Sequence, residues 1–113
     1  MTRDDIAAAL ATVPGLSATS STPATIVAGS AWCEWVSTRW VNAQGQREWR
    51  WYVFVALTGG DRAATAAEAD PLVESVAAAL WEIGVWPELV EPWSWAVEPG
   101  AQAVPVLRIT ARD

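Results

Sequence analysis

The chain has no histidine, no lysine and one cysteine, Cys33, in 113 residues. Without histidine there is no Ser-His or Cys-His couple, no imidazole base and no imidazole metal ligand, so most hydrolase and zinc-site readings fail. A single cysteine cannot form an internal disulfide, which excludes a disulfide-stapled secreted scaffold and is compatible with a reducing compartment. Cys33 reads as a small buried hydrophobe. Seven arginines against thirteen acidic residues give a net charge of −6, which disfavours general attraction to phosphate backbones or anionic membranes. Long apolar runs are missing too: the best, Trp51 to Leu57, has strand length and falls far short of the roughly 20 residues of a membrane span. Residues Met1 to Leu10 carry Asp4 and Asp5 where an export signal has a basic start. Cleaved secretion is therefore not expected, and a soluble protein is.

What the chain does have is tryptophan, nine of them, at positions 32, 35, 40, 49, 51, 81, 86, 93 and 95. Each presents on the order of 200 Å² of contact surface. A single domain of this length hides only about two thirds of its unfolded-chain surface. Roughly half the tryptophans are thus expected in the core of one domain spanning residues 1–113, and the others at interfaces, where tryptophan is enriched.

Thr2 followed by Asp5 has the form of a helix N-cap with an acidic partner, and Ile6, Ala9, Leu10 and Val13 then share one helical face. Pro14-Gly15 should end that helix. Leu16 to Ser30 reads as a loop whose only strand-like stretch is Ala24 to Ala28. Trp32 to Val41 and Glu48 to Thr58 read as the strands of a hairpin with a five-residue tip, Asn42 to Gln46. In the second of these, Trp49, Trp51, Val53, Val55 and Leu57 face one way, and Tyr52, Phe54 and Ala56 the other. Both faces are apolar, so both should be covered, one by the domain's own helices, while for the other a neighbouring subunit is one candidate.

Gly59-Gly60-Asp61 breaks this strand. A second helix is marked either by Thr65 with Glu68 or by Asp70 capping Pro71, and ends near Gly84. Leu72, Val73, Val76, Ala77, Leu80 and Ile83 form its apolar stripe, with Trp81 outside it as a contact candidate. Val85 to Pro92 reads as a linker, Trp93 to Val97 as a strand with both tryptophans on one side, Gly100-Ala101 as a turn, and Val104 to Ala111 as the final strand. The predicted fold is a small α+β domain: a mostly antiparallel sheet of four to five strands with a long hairpin, packed by two helices.

No catalytic, cofactor-binding or metal-ligating set emerges. Ser94 lies in Trp-Ser-Trp rather than a Gly-x-Ser-x-Gly elbow, and Gly59-Gly60 lacks the Gly-Lys-Ser/Thr of a phosphate loop. Glu82, Glu88, Glu91 and Glu98 could supply a glycosidase pair, but their spacing forces no convergence, and solvated acids are the better reading. Arg39, Trp40, Arg47, Trp49, Arg50 and Trp51 interleave cations with aromatics in the style of a single-strand nucleic-acid platform. Glu34 and Glu48 beside them leave little counterion release, and arginine over tryptophan is an ordinary structural arrangement. A tryptophan surface near acids also suits sugar stacking, although such modules are usually secreted sandwiches of many short strands.

The layout resembles the tail terminator, or tail-completion, proteins of long-tailed non-contractile bacteriophages. The resemblance rests on Asp4-Asp5-Ile6 through Val13-Pro14-Gly15, Ala31-Trp32, the strand Trp49 to Leu57, Ala69-Asp70-Pro71-Leu72-Val73, Glu91-Pro92-Trp93, and Val104-Pro105-Val106-Leu107-Arg108-Ile109-Thr110. It implies a structural virion protein at the head–tail junction, present in the host cytoplasm before assembly. Such a protein is not an enzyme and needs no cofactor. It forms a ring, typically a hexamer, that caps the tail tube, stops its polymerisation and offers a docking surface to the head. Its implied partners are itself, the tail tube protein and a head-completion or connector protein, with DNA only in transit and no membrane. Other neck proteins, head-completion and connector subunits, are the nearest alternative, and a carbohydrate-binding module a more remote one. Exposed-aromatic reasoning nominates Trp32, Trp35, Trp40, Gly45, Trp49, Trp81, Trp93 and Trp95 for subunit or tube contact.

Overall fold

The computed structural model describes residues 2–59, 62–96 and 103–113. Helix α1 spans Arg3–Ala11 and opens on a capping box: Thr2 accepts from the Asp5 amide at 3.3 Å, and the Thr2 amide donates to the Asp5 carboxylate at 2.9 Å. Ile6, Ala9, Leu10 and Val13 are buried along the expected face. The next strand, β1, is only Ser17–Ala18, and it pairs in parallel with β2, Ser30–Trp40. The stretch Ala24 to Ala28, expected as the strand here, is not one. Instead Gly29, at φ +89°, passes so close to the chain that an added Cβ would stand 2.6 Å from the Gly15 carbonyl oxygen. That close approach brings Ser17 alongside β2, a long-range pairing without a local apolar signal.

Strands β2 and β3, Arg47–Ala56, form the expected antiparallel hairpin. Its tip is a polar turn in which Asn42 accepts from the Gln44 and Gln46 amides and Gly45 sits at φ +85° in open space. With β4, Trp86–Trp95, and β5, Val104–Arg112, the sheet has the order β1-β2-β3-β5-β4. Among the described residues only β1 runs parallel to its neighbour. The α+β architecture holds: five strands, mostly antiparallel, carrying two helices.

Two boundaries differ from those expected. Helix α2 spans Arg62–Glu82 and continues through Pro71, so neither Thr65 nor Asp70 begins it. Proline removes one helical donor and crowds the preceding turn, but Val76 and Leu80 are buried under this helix, and tertiary packing outweighs that local cost. Val85 to Pro92 is not a linker, because β4 includes both Pro87 and Pro92. An edge strand tolerates proline, and here it lies outermost beyond β5, with a register shift between Pro87 and Leu89. Gly60, Asp61, Glu98 and the Gly100-Ala101 turn lie outside the described residues.

The sheet has two unlike faces. On the helix side, Cys33, Trp51, Val53, Val55, Leu107, Ile109 and Ala111 meet Ile6 and Leu10 of α1 and Val76 and Leu80 of α2. On the other side a second cluster joins Trp32, Phe54, Ala56 and Val106, with Ile26, Tyr52, Trp95 and Val104 packed against it. Trp32 stacks on Phe54 at 5.3 Å, and Trp95 meets both rings edge-on. The chain thus covers Phe54 and Ala56 itself, where a neighbouring subunit was one candidate cover. Tryptophan and one loop residue, Ile26, replace the missing helix layer.

Candidate contact surface

The hairpin outruns the rest of the sheet. The last rung of β5 sets Arg112 opposite Arg50, and the Asp113 amide and carboxylate then close on the Trp49 backbone at 3.1 and 2.9 Å. Beyond Trp49 only β2 and β3 continue, as a two-stranded arm in a molecule measuring 49 × 31 × 21 Å. The register sets Trp35 opposite Trp51, Thr38 opposite Trp49 and Trp40 opposite Arg47, so these residues share the helix-side face. A bulge at Val36 shifts the register by one residue and so brings Thr38 and Trp40 onto the face of Trp35, whose indole donates to Thr38 Oγ1 at 2.9 Å. Trp35 is 53% and Trp40 65% exposed, because the strand has run past the helices that shelter Trp51. Trp49 stands at the boundary, half-buried, stacked on Trp51 and beneath the Arg47 guanidinium.

The opposite face of the arm and its root is charged. Glu48, 13% exposed, takes Arg50 at 3.1 Å, Arg39 at 3.5 Å and Arg112 at 4.0 Å, and Glu88 takes Arg50 at 3.0 Å and Arg112 at 3.7 Å. Farther up this face Arg108 lies 3.6 Å from the Trp93 ring centre and 4.8 Å from that of Tyr52, while donating to Glu91 at 2.6 and 3.0 Å. Arginine does cover tryptophan here, but the main instance is Arg108 on Trp93. On the hairpin only Arg47 lies over a tryptophan; Arg39 and Arg50 are held by Glu48. This ladder neutralises most of the cations a nucleic-acid platform would need.

Of the nominated residues, Trp35, Trp40, Trp81 and Trp93 are exposed, and Gly45 is at the arm tip. Trp32 is not a surface residue. It is fully buried, since it stands where the chain folds back over the sheet, and it belongs to the second core cluster. Trp95 is half-buried in the same cluster. The indole nitrogens of Trp32, Trp51 and Trp95 have no acceptor among the described residues. Trp86 was missed: 45% exposed, it packs against Trp81 at 4.2 Å between ring centres, at the same end of the molecule as the arm. Its signal was present, a tryptophan beside Trp81 across the Gly84 turn, but reading Pro87 as linker hid it.

A second feature lies on the helix side at the other end of the sheet. There α2 and the outer half of β4 stand apart over a groove of about 930 Å³, floored by Leu57, Val90 and Leu107. Its walls include Arg62, Ala66, Ala69, Asp70 and Val73 of α2 and Glu91, Pro92 and Ser94 of β4. Among the described residues no group of acids, cysteine or histidine is placed to hold a metal ion. Glu88 and Glu91 are both occupied by arginines, and Glu82 lies at the exposed end of α2. Burial pushes the Cys33 thiol up to about 11, against the slight opposing pull of Arg3, which leaves it unreactive. Among the described residues no helix is long and apolar enough to cross a membrane. Comparisons with family models, curated proteins and solved structures found no match for the chain.

Proposed function

We propose that this chain is a structural, self-assembling protein of the tail-terminator kind. Copies of it form a ring that caps a tube of tail protein and offers a surface to a head-completion or connector protein. The observation that carries this reading is the placement of tryptophan. Trp35, Trp40, Trp81, Trp86 and Trp93 remain 45 to 65% exposed although two apolar clusters are already filled without them. The chain exposes 6684 Å², whereas a compact monomer of its 12.1 kDa exposes roughly 6,000 Å². A surface of that extent that includes five half-exposed or more exposed tryptophans suits a subunit made to be covered by others. The sequence resemblance adds the tail context. The net charge of −6 suits a channel through which DNA passes without sticking.

The test is the solution mass by light scattering over a concentration series, alone and with tail tube protein, followed by electron microscopy of tube ends. A ring mass, or subunits that collect at tube ends and arrest growth, is the expected result. A protein that stays monomeric and ignores tubes would end this reading. Binding to a connector protein alone would move it to a head-completion role.

A further inference from the structure

The arm and the groove lie at opposite ends of the molecule, one a ridge and the other a trough. Strand β3 runs from Arg47 on the arm to Ala56, next to Leu57 on the groove floor, and α2 starts beside that end and runs back toward Trp81. The arm presents a ridge: Trp35 and Trp40 on one face, with Val36 and Val41 also 40 and 49% exposed. The groove is a trough with an apolar floor and a mixed wall, on which Arg62 and Glu91 stand with Asp70, and its volume exceeds that of a tryptophan side chain several-fold.

Charge follows the same division. Residues 38–50 carry three arginines, of which Arg39 and Arg50 are held by Glu48 on the opposite face and Arg47 shares the face of Trp40, whereas α2 carries one arginine and four acidic residues, Asp70 among them on the groove wall. Among the described residues Arg47 has no carboxylate partner and Asp70, on the groove wall, has no cation. Arg47, which lies over Trp49, is the cation on the ridge beside Trp40, and Asp70 is an anion on the trough, whose wall also carries Arg62.

We propose that the arm of one copy docks into the α2–β4 groove of the next, with Trp40 seated between helix and strand and Arg47 against Asp70. The contact is heterologous, since arm and groove are different surfaces, and it propagates head to tail until it closes. It specifies the self-association on which the proposed function depends, but it does not depend on a tail tube.

Two exposed positions separate donor from acceptor. Trp40→Ala removes the ridge and leaves the groove; Ala66→Arg fills the groove and leaves the arm. Each variant alone should be monomeric where the wild type is oligomeric, with association weakened at least tenfold. An equimolar mixture should give a dimer and nothing larger, because a single intact arm–groove pair remains. Arg47→Asp and Asp70→Arg provide a second route, each disruptive alone and association restored when both are in one chain. Circular dichroism and thermal unfolding confirm that each variant is folded.

A wild-type oligomer that survives both Trp40→Ala and Ala66→Arg overturns the contact, as does one dissociated by Trp81→Ala instead; either leaves a ring assembled through other surfaces. A wild type that stays monomeric at all concentrations also overturns it. If the variants behave as expected but the oligomers never cap tube ends, the contact stands and the terminator reading falls.

Discussion

Trp32 and Trp40 stand on one strand, yet the first is wholly buried and the second 65% exposed. The half of the hairpin holding Trp32 is flanked by β5, backed by two helices and overlaid by Ile26 and Trp95. The half holding Trp40 has only its partner strand. A two-stranded ribbon is barely stable by itself, and this one is fastened at its root by Asp113 on Trp49 and by the ion-pair ladder through Glu48. Identical chemistry therefore serves as core at one end and as contact surface at the other. What differs is how far the neighbouring elements reach.

The sharpest test of that difference is Trp32→Ala against Trp40→Ala in urea unfolding of the monomeric state. Emptying the Trp32 site should cost about 3–5 kcal/mol, and truncating Trp40 should change stability by less than about 0.5 kcal/mol. Equal losses would mean that the arm is part of the cooperative core. Next in size comes Arg108, held between Trp93 and Tyr52 and paired with Glu91. Arg108→Ala should cost about 1–2 kcal/mol. A double-mutant cycle with Trp93→Ala should show coupling, since the two share one contact.

At the capping box, Thr2→Ala should lose about 1 kcal/mol by thermal unfolding. Its partner Asp5 has a pKa below its ordinary value of 3.8, because the Thr2 amide and then the Thr2 hydroxyl hydrogen-bond its charged form. A depressed folded-state pKa gives stability that is complete above the unfolded value and lost as pH falls through the folded one. Stability should thus drop below about pH 4, and Asp5→Asn should flatten that part of the profile. The smallest effect is expected at Arg112 on the exposed ladder. Arg112→Ala should cost under about 1 kcal/mol and less still at high salt, as for other surface pairs.

Local signals carried much of this fold. Thr2 with Asp5 marked the first helix, Asn42 to Gln46 marked the hairpin tip, and alternation assigned Val53 and Val55 to one face and Phe54 and Ala56 to the other. Pro71, Pro87 and Pro92 misled, because a proline's local cost is readable and the packing that offsets it is not. β1 was invisible, since two small polar or apolar residues become a strand only when Gly29 lets the chain approach Gly15. On the contact surface, Trp35, Trp40, Trp81 and Trp93 were legible as candidates, but so was Trp32, which is core.

By itself, then, the sequence determined the class of fold, the absence of histidine chemistry and of an internal disulfide, and an excess of tryptophan over what one small core encloses. These follow from composition and from periodicities of a few residues, which act within single elements. Which tryptophans are enclosed, where the groove lies and which carboxylate meets which arginine were decided only by the tertiary structure. Burial and charge pairing depend on where other elements end, and that is a property of the assembled sheet and helices rather than of any one segment.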